Sequence, residues 1–467
     1  MVRMRLSLTG LALLATAALA APPAIDWPKV NQETFEHFSN VLMMDTSNPP
    51  GNETKVARYL KTVLEREGIK ADLFAADPAR ANLVARIKGN GSKKPLLIMG
   101  HTDVVGVQRE KWAFDPFAVI RKDGFVYARG ANDDKDSVAA GLMIMLMLKR
   151  NNVELDRDVI FLAEAGEERS TSIGVDYMIK EHWSEIEAEF ALAEGGGGQR
   201  RDGKTRYVSI ATTEKVPRGA RLVAKGSAGH GSVPRMDNAL IHLANAVAKV
   251  GEWQTPMRLN DTTRAYFERL ATISTPAEAA RYNALFNAGK APAVDLYLRR
   301  KEGGHYSQLR TSVVPTIMKA GFQSNVIPSE AEATLDVRML PDEDPDKFYA
   351  DMARVIGDPN VTIVPNRSGR PFGRPSGLDT AMFRALEAAQ RKIYPEAITL
   401  PNMMTGATDM SQLRAKGIPA YGTGAIIDEK NTGSGGAHSD DERIEEVALY
   451  KYVEFLWTAV INVAAKQ

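Results

Sequence analysis

Three short apolar runs, each stopping at side chains of metal-ligating type, constrain this chain more than any other feature. Leu96 to Met99 leads through Gly100 into His101 and Asp103, Asp158 to Ala163 into Glu164, Glu167 and Glu168, and Phe190 to Ala193 into Glu194. Short continuous apolar runs mark strands buried on both faces, as in a mostly parallel sheet lying between helices. Ligands of such sheets bind beyond the carboxyl ends of the strands. The runs therefore predict an α/β core that gathers a histidine and several carboxylates along one edge. His-x-Asp alone is a common structural pairing; its repetition in kind is what carries the argument.

At 467 residues the chain exceeds what one hydrophobic core usually supports, so two domains are expected. Fifty-nine basic residues against 58 acidic ones leave a net charge of +1, which gives no reason to expect nucleic acid or an anionic membrane as partner. Residues 1–20 read as a secretory signal peptide: Arg3 and Arg5 open it, Leu6 to Leu19 is mostly apolar, and Ala18-Leu19-Ala20 is a small-x-small cleavage site. The apolar run is short for a bilayer span. The expectation is a secreted or periplasmic protein with no stable membrane association after cleavage. The chain has no cysteine, which excludes disulfides and thiol catalysis, so any metal must be held by His and carboxylates.

Helical spacing from Trp27 to Glu67 is broken by the loop Ser47 to Gly51; Asn82 to Ile87 and Leu96 to Met99 then read as adjacent strands across the polar turn Lys88 to Lys94. Asp133 and Asp134 stand just before an apolar helix, Ser137 to Lys149, with Ser137 as its expected cap. Gly198 to Thr205 matches the phosphate-loop pattern letter for letter, but that motif needs a following helix to hold the phosphate. Arg206 to Thr213 has strand composition instead, so a hairpin is expected there and nucleotide binding is not.

From Lys215 the character changes. Strand Arg221 to Ala224, a loop Gly226 to Pro234 holding His230, helix Asp237 to Val250, a strict alternation through Ala333, Leu335, Val337 and Met339, helix Phe348 to Ile356 and strand Val361 to Val364 follow in turn. This predicts a small α/β sandwich over 215–366, inserted between catalytic halves 21–214 and 367–467. Within it, Phe267 to Ala288 is helical in composition and Gly303-Gly304-His305 loop-like, with no clear element order between Pro256 and Pro315. A loop-rich link, Arg367 to Gly377, leads back to helix Asp379 to Tyr394, the polar loop Thr405 to Asp409, strand Ile418 to Tyr421, a glycine-rich loop presenting His438, and helix Glu442 to Val463.

Collected together, His101, Asp133, Glu168, Glu194 and His438 give two imidazoles and three carboxylates, the set needed by two metal ions sharing one bridging carboxylate. Such ions lower the pKa of a water from 15.7 toward roughly 7. Of the adjacent pair Glu167 and Glu168, one can ligate while the other handles protons.

His101-Thr-Asp103, Arg129-Gly-Ala-Asn-Asp133-Asp-Lys135, Glu167-Glu168, Glu194-Gly-Gly, Gly229-His230, Asn325-Val-Ile-Pro328 with Arg338, and Ala437-His438 follow the order of motifs in the M20 metallopeptidases. The chain resembles that family, which includes aminoacylase, acetylornithine deacetylase and glutamate carboxypeptidase (M20/M25/M40), over nearly all of its mature length. The resemblance implies a mixed-sheet α/β di-zinc exopeptidase domain with an inserted ferredoxin-like α+β lid or dimerisation domain. It implies His101, Asp133, Glu168, Glu194 and His438 as ligands of two Zn2+ ions, with Co2+ or Mn2+ acceptable and Asp133 bridging. It makes Asp103 the carboxylate that orients His101, and Glu167 the general base.

The same resemblance places His230 over the site, often across a homodimer, to stabilise an oxyanion, and lets Arg338 and Asn325 grip a substrate carboxylate. Thr408 and Asp409 are candidates for lining the substrate pocket. Two departures stand out: Asp136 occupies a position where the family usually has glycine, and the long segment 256–315 weighs against the usual lid-to-lid dimer. The implied activity is cleavage of a peptide bond in dipeptides or at the C-terminus of short peptides. An N-acyl-amino-acid deacylase, and a peptide-binding protein without chemistry, are the alternatives.

Overall fold

The structure, a computed structural model, describes residues 25–366, 369–428 and 435–466. The expected signal peptide lies outside the described residues. In chain order the first body contains α1 (Trp27–Leu42), α2 (Thr54–Arg66), β1 (Ala71–Phe74), β2 (Asn82–Ile87), β3 (Leu96–His101), α3 (Lys135–Arg150), β4 (Val159–Glu164), β5 (Phe190–Ala193), β6 (Gly197–Arg201) and β7 (Lys204–Glu214). The lid follows as β8 (Val216–Pro217), β9 (Ala220–Lys225), α4 (Ala239–Glu252), α5 (Asp261–Thr272), α6 (Pro276–Ala284), α7 (Ala291–Lys301), α8 (Gly303–Gln308), β10 (Ser312–Ala320), β11 (Glu330–Met339), α9 (Pro345–Ile356) and β12 (Val361–Pro365). The first body then resumes with α10 (Ala381–Ile393), β13 (Ile398–Met404), β14 (Ala420–Gly422), β15 (Ile426–Asp428) and α11 (Glu446–Ala464).

Its mixed sheet runs β1-β2-β4-β3-β5-β14-β7-β6-β15, with β13 also paired to β7. All residues of β3 and β4 are buried, as their unbroken apolar runs require. The two strands lie parallel, and β5 lies parallel to β3 on its other side. Their carboxyl ends therefore open at the same edge. One expectation is corrected: β2 and β3 are not neighbours, because β4 lies between them. The turn that joins them spends its amides elsewhere. Gly89 N–H donates to Asp158 Oδ1 at 2.9 Å, Asn90 N–H to the Leu155 carbonyl and Lys93 N–H to the Asp156 carbonyl, so the turn is laced to the lead-in of β4.

Helix α3 is buried from Lys135 to Leu148, consistent with a sequence apolar around the whole circumference. It starts at Lys135 rather than at Ser137, with Asp134 at the cap position and no side-chain cap bond. α11 is also long and apolar enough to span a membrane, but 67% of its apolar window is buried within the protein, where it packs on α10 and α3. It begins at Glu446 because Arg443–Glu445 pairs as a strand with Phe125–Tyr127. The phosphate-loop lookalike is a hairpin: β6 and β7 are antiparallel, and Asp202 and Gly203 at its tip have φ of 50° and 73°, a two-residue turn of the kind that suits the twist of paired strands.

In the lid, β12, β9, β11 and β10 form an antiparallel sheet in that order, with β8 also paired to β11. Helices α4 and α9 share one core with it through Leu243, Val250, Phe348 and Met352. The order strand, helix, strand, strand, helix, strand is ferredoxin-like. Alternate residues of β11 are buried, as the two-residue periodicity requires. The segment that resists reading from sequence is built mainly of four helices, α5 to α8. α5 to α8 close a small core around Phe267, Tyr282 and Leu298 that packs on Leu400 of β13. Gly303-Gly304-His305 opens a helix because His305 is drawn inward, its ring centroid 5.3 Å from that of Phe267 and its Nδ1 2.7 Å from Glu302 Oε2.

Gly141 marks where α3 meets the sheet, since a Cβ there would lie 2.5 Å from Phe161 Cε2. Gly141→Val is expected to lower stability by about 1–3 kcal/mol through overpacking. Chemical denaturation of the purified variant measures it.

Candidate active site

β3 delivers His101 to the sheet edge with 1% of its surface exposed. Its backbone N–H donates to Asp134 Oδ2 at 3.1 Å, and Gly100 precedes it because a Cβ there would sit 3.0 Å from that same oxygen. His101 Nδ1 lies 2.9 Å from the Asp103 carbonyl. With a proton on Nδ1 donated to that oxygen, Nε2 is left free to ligate; it lies 3.0 Å from Asp133 Oδ1. Asp133 Oδ2 is 3.2 Å from His438 Nε2, which is also 3.2 Å from Glu168 Oε2.

Two ligand groups result, His101 with Asp133 and Glu194, and Asp133 with Glu168 and His438, the offered atoms of each lying within 4.8 Å of one another. Asp133 is common to both. The structure thus brings together all five residues singled out in the sequence as metal ligands. The chemistry of the set fits two divalent cations. Glu168 Oε1 is buried without a partner. Burial, with the Glu167 carboxylate beside it, pushes Glu194 well above the usual carboxylate range. Hydrogen bonds to Asp133 and Glu168 push the His438 imidazole up to about 10, so its proton occupies the place a cation would take. His438 also has a φ of 65°, a conformation costly for a residue with a Cβ and concentrated at functional positions.

The Asp103 carboxylate pairs with His101 Nδ1 at 3.5 Å and also accepts the backbone N–H of Glu167 at 3.1 Å, that of Glu168 at 3.2 Å and Asn48 Nδ2 at 2.8 Å. His101 is thus held by both the main chain and the side chain of Asp103, and the side chain also fixes the turn that carries both glutamates. Glu167 is largely enclosed next to Arg370, whose guanidinium donates to its carboxylate, to its carbonyl at 3.2 Å and to Asp409. Burial pushes Glu167 up to about 8 against the pull of Arg370.

A cleft of about 500 Å³ lies over these groups, lined also by Pro217 and Arg338 from the lid and by Arg370, Met404 and Thr408. Arg338 thus faces the site. Thr408 lines the cleft, but its hydroxyl donates to Glu214 Oε2 at 2.8 Å and its N–H to Glu214 Oε1 at 2.9 Å, which leaves that hydroxyl no donor for a ligand. Asp409 lies away from the cleft, 2% exposed, and burial, with the Asp409 carboxylate nearby, pushes Glu164 well above the usual carboxylate range. Its place is that of a buried anchor rather than a substrate contact. His230 and Asn325 are brought close to each other, since Gly229–His230 pairs with Val326–Ile327. Both are exposed on the lid and neither lines the cleft. Asp136 is 3% exposed, lines the cleft and leaves Oδ1 without a partner.

Sequence reading missed Arg370, which it passed over as part of a link, and the buried pair Arg129 with Glu442. Arg129 Nη1 donates to Glu442 Oε2 at 2.6 Å, and Asn132 N–H to Glu442 Oε1 at 2.9 Å, tying the loop of Asp133 to the segment that follows His438. A charged residue in a loop-rich link gives no local signal that its partner is a distant glutamate.

The sequence matches the model of peptidase family M20/M25/M40 over residues 97–462. Among curated relatives, a protein of Staphylococcus aureus (strain N315) named probable succinyl-diaminopimelate desuccinylase is 25% identical over 442 residues, 92% of this chain and 97% of that one. The M20 family metallo-carboxypeptidase Sso-CP2 from Sulfolobus solfataricus superposes with a TM-score of 0.69 at 22% identity, covering 92% of this chain and 99% of that one. The YXEP protein of Bacillus subtilis, described as a dinuclear metal-binding peptidase of the M20 family, has a TM-score of 0.60 at 14% identity, covering 93% and 99%.

Protein reconstituted with excess divalent metal is expected to hold about two ions per chain, Asp133→Ala to lose both and Glu168→Ala to lose one; plasma mass spectrometry counts them. Uptake must displace the proton that His438 keeps up to about 10. Affinity should therefore rise from pH 6 to pH 8 with protons released, read by titration calorimetry in buffers of differing ionisation enthalpy.

Proposed function

The chain belongs to peptidase family M20/M25/M40, and from that premise we propose that it is an exported two-zinc hydrolase that cleaves the peptide bond of dipeptides or the C-terminal bond of short peptides. The observation that carries this reading is the sharing of Asp133 between two ligand groups at the floor of one cleft, with Glu167 beside them. Histidine and carboxylate donors suit zinc, and also cobalt or manganese. Export rests on the sequence of residues 1–20.

The metal pair, when bound, supplies Lewis acidity for the scissile carbonyl and for the attacking water. Glu167 takes a proton from that water and delivers it to the leaving amine nitrogen. Arg338, held by Asp336 Oδ1 at 2.8 Å and with 35% of its side chain exposed, receives the substrate carboxylate from the lid side. A cleft of about 500 Å³ is of the size that encloses a ligand of a few residues. His230 and Asn325, adjacent and outside their own cleft, serve the site of a second copy in a lid-to-lid homodimer, where the imidazole donates to the oxyanion. Met236 and Phe322, 95% and 84% exposed on the lid, are apolar surface of the kind such an interface covers.

N-acyl-amino-acid deacylation is the second reading, favoured by the similarity to a desuccinylase over 92% of the chain. It uses the same site, with the acyl group in place of an amino-terminal residue. A peptide-binding role without chemistry has no use for Glu167 beside five converging ligands.

Zinc-reconstituted protein incubated with a pool of dipeptides, short peptides and N-acyl amino acids is expected to release free amino acids from the peptides, detected by mass spectrometry. Release from the N-acyl compounds alone would transfer the protein to the deacylases. Glu167→Gln is expected to lower kcat by about 10²–10⁴-fold with metal content unchanged, and near-parental turnover would remove Glu167 as the base.

A further inference from the structure

Arg370 is the one cation whose side chain reaches Glu167 among the described residues. It stands on the segment by which the chain returns from β12 of the lid to α10 of the catalytic body. Its guanidinium donates to the Glu167 carboxylate and, at 3.2 Å, to the Glu167 carbonyl, while its other terminal nitrogen donates to Asp409. Asp409 is itself buried, with 2% of its side chain exposed. The planar fork of an arginine, fixed at both ends, restricts what it touches far more than a flexible ammonium does. Only 14% of the Arg370 side chain is exposed, against 35% for Arg338 across the cleft. A substrate carboxylate therefore has Arg338 available, whereas the terminal nitrogens of Arg370 are already engaged.

We propose that Arg370 is a positioning residue for Glu167, clamping its carboxylate and main chain in one orientation. This rests on the reading of Glu167 as the base. Arg370 touches neither scissile bond nor metal ligand in this role, and its effect passes entirely through Glu167. Misplacing a reacting group by about 1 Å typically costs on the order of 10²-fold in rate.

The test uses the zinc-loaded full chain and the dipeptide it hydrolyses best, comparing Arg370→Ala, Arg370→Lys, Asp409→Asn and Glu167→Gln in kcat, KM and metal content. Expected are a fall in kcat of about 10²-fold for Arg370→Ala with KM within about threefold and metal retained, a smaller fall for Arg370→Lys and Asp409→Asn, and partial recovery of Arg370→Ala, but not of Glu167→Gln, on adding millimolar guanidinium. Arg370→Lys keeps the charge and guards against loss of the fold. A raised KM with parental kcat in both Arg370 variants would make Arg370 a substrate anchor and overturn the proposal, as would parental kinetics in both. If Glu167→Gln itself retains turnover, it is the general-base reading that falls; if Glu167→Gln is inactive while Arg370→Ala is not, the base stands and the clamp falls.

Discussion

Buried like charge is the constraint on which the rest of the structure depends. Asp133, Asp134, Asp136, Glu167, Glu168 and Glu194 line one cleft, with Asp103 and Glu164 buried just behind it. Two carboxylates 4 Å apart repel by about 4 kcal/mol at an effective dielectric of 20, and a whole domain is stable by only about 5–15 kcal/mol. The cluster is tolerable only if each charge is met. Some are met by backbone amides, as for Asp103 under the Glu167 turn and Asp134 under His101. Burial pushes Glu164 well above the usual carboxylate range, and Glu167 is met by a guanidinium. Asp133, Glu168 and Glu194 are left to the imidazoles, and they are the carboxylates of the two groups that could hold a metal ion.

That division explains the architecture around the cleft. Strands β3, β4 and β5 are buried along their whole length, so their ends cannot drift, and short-range ligand geometry follows from sheet register. His101 and Glu164 are direct register partners. The loops that complete the set are less constrained by the sheet and are fixed by polar links instead. Arg129 and Glu442 join the Asp133 loop to the chain just after His438, and the strained backbone of His438 is held by that framework rather than by its own preference.

Much of this was legible in the sequence because buried strands write themselves as apolar runs and ligands fall at their ends. The five converging residues, the alternating strand β11 and the hairpin at Asp202-Gly203 all have local signatures. What escaped lacks one. The insertion of β4 between β2 and β3 is decided by amides of the Lys88 to Lys94 turn finding acceptors at Leu155, Asp156 and Asp158, partners more than sixty residues away. Helices α5 to α8 depend on a private core against β13. Thr408 turns its hydroxyl to Glu214 and Asp409 turns inward, because side-chain direction is a tertiary property that residue type does not record. His230 and Asn325 share a lid face but not the cleft of their own chain.

The two crossings between the bodies differ in a way that bears on how the lid is controlled. The outgoing crossing carries Lys215, fully buried, whose ammonium donates only to neutral oxygens, the Ser307 carbonyl and hydroxyl at 3.1 Å and the Ser312 hydroxyl at 2.8 Å. Burial, aided by Arg338 and Arg310, pulls it down to about 7, so that crossing is fixed by hydrogen bonds to the insert and by the Lys215 N–H on the carbonyl of cleft-lining Met404. The return crossing carries Arg370, whose charge is matched by Glu167 and Asp409 inside the active site. One crossing is therefore fastened to the insert and to Met404, and the other to Glu167 and Asp409. Displacing Arg370 must separate buried opposite charges, a far costlier event than loosening neutral bonds, so the return crossing is anchored at Arg370 to the groups around Glu167.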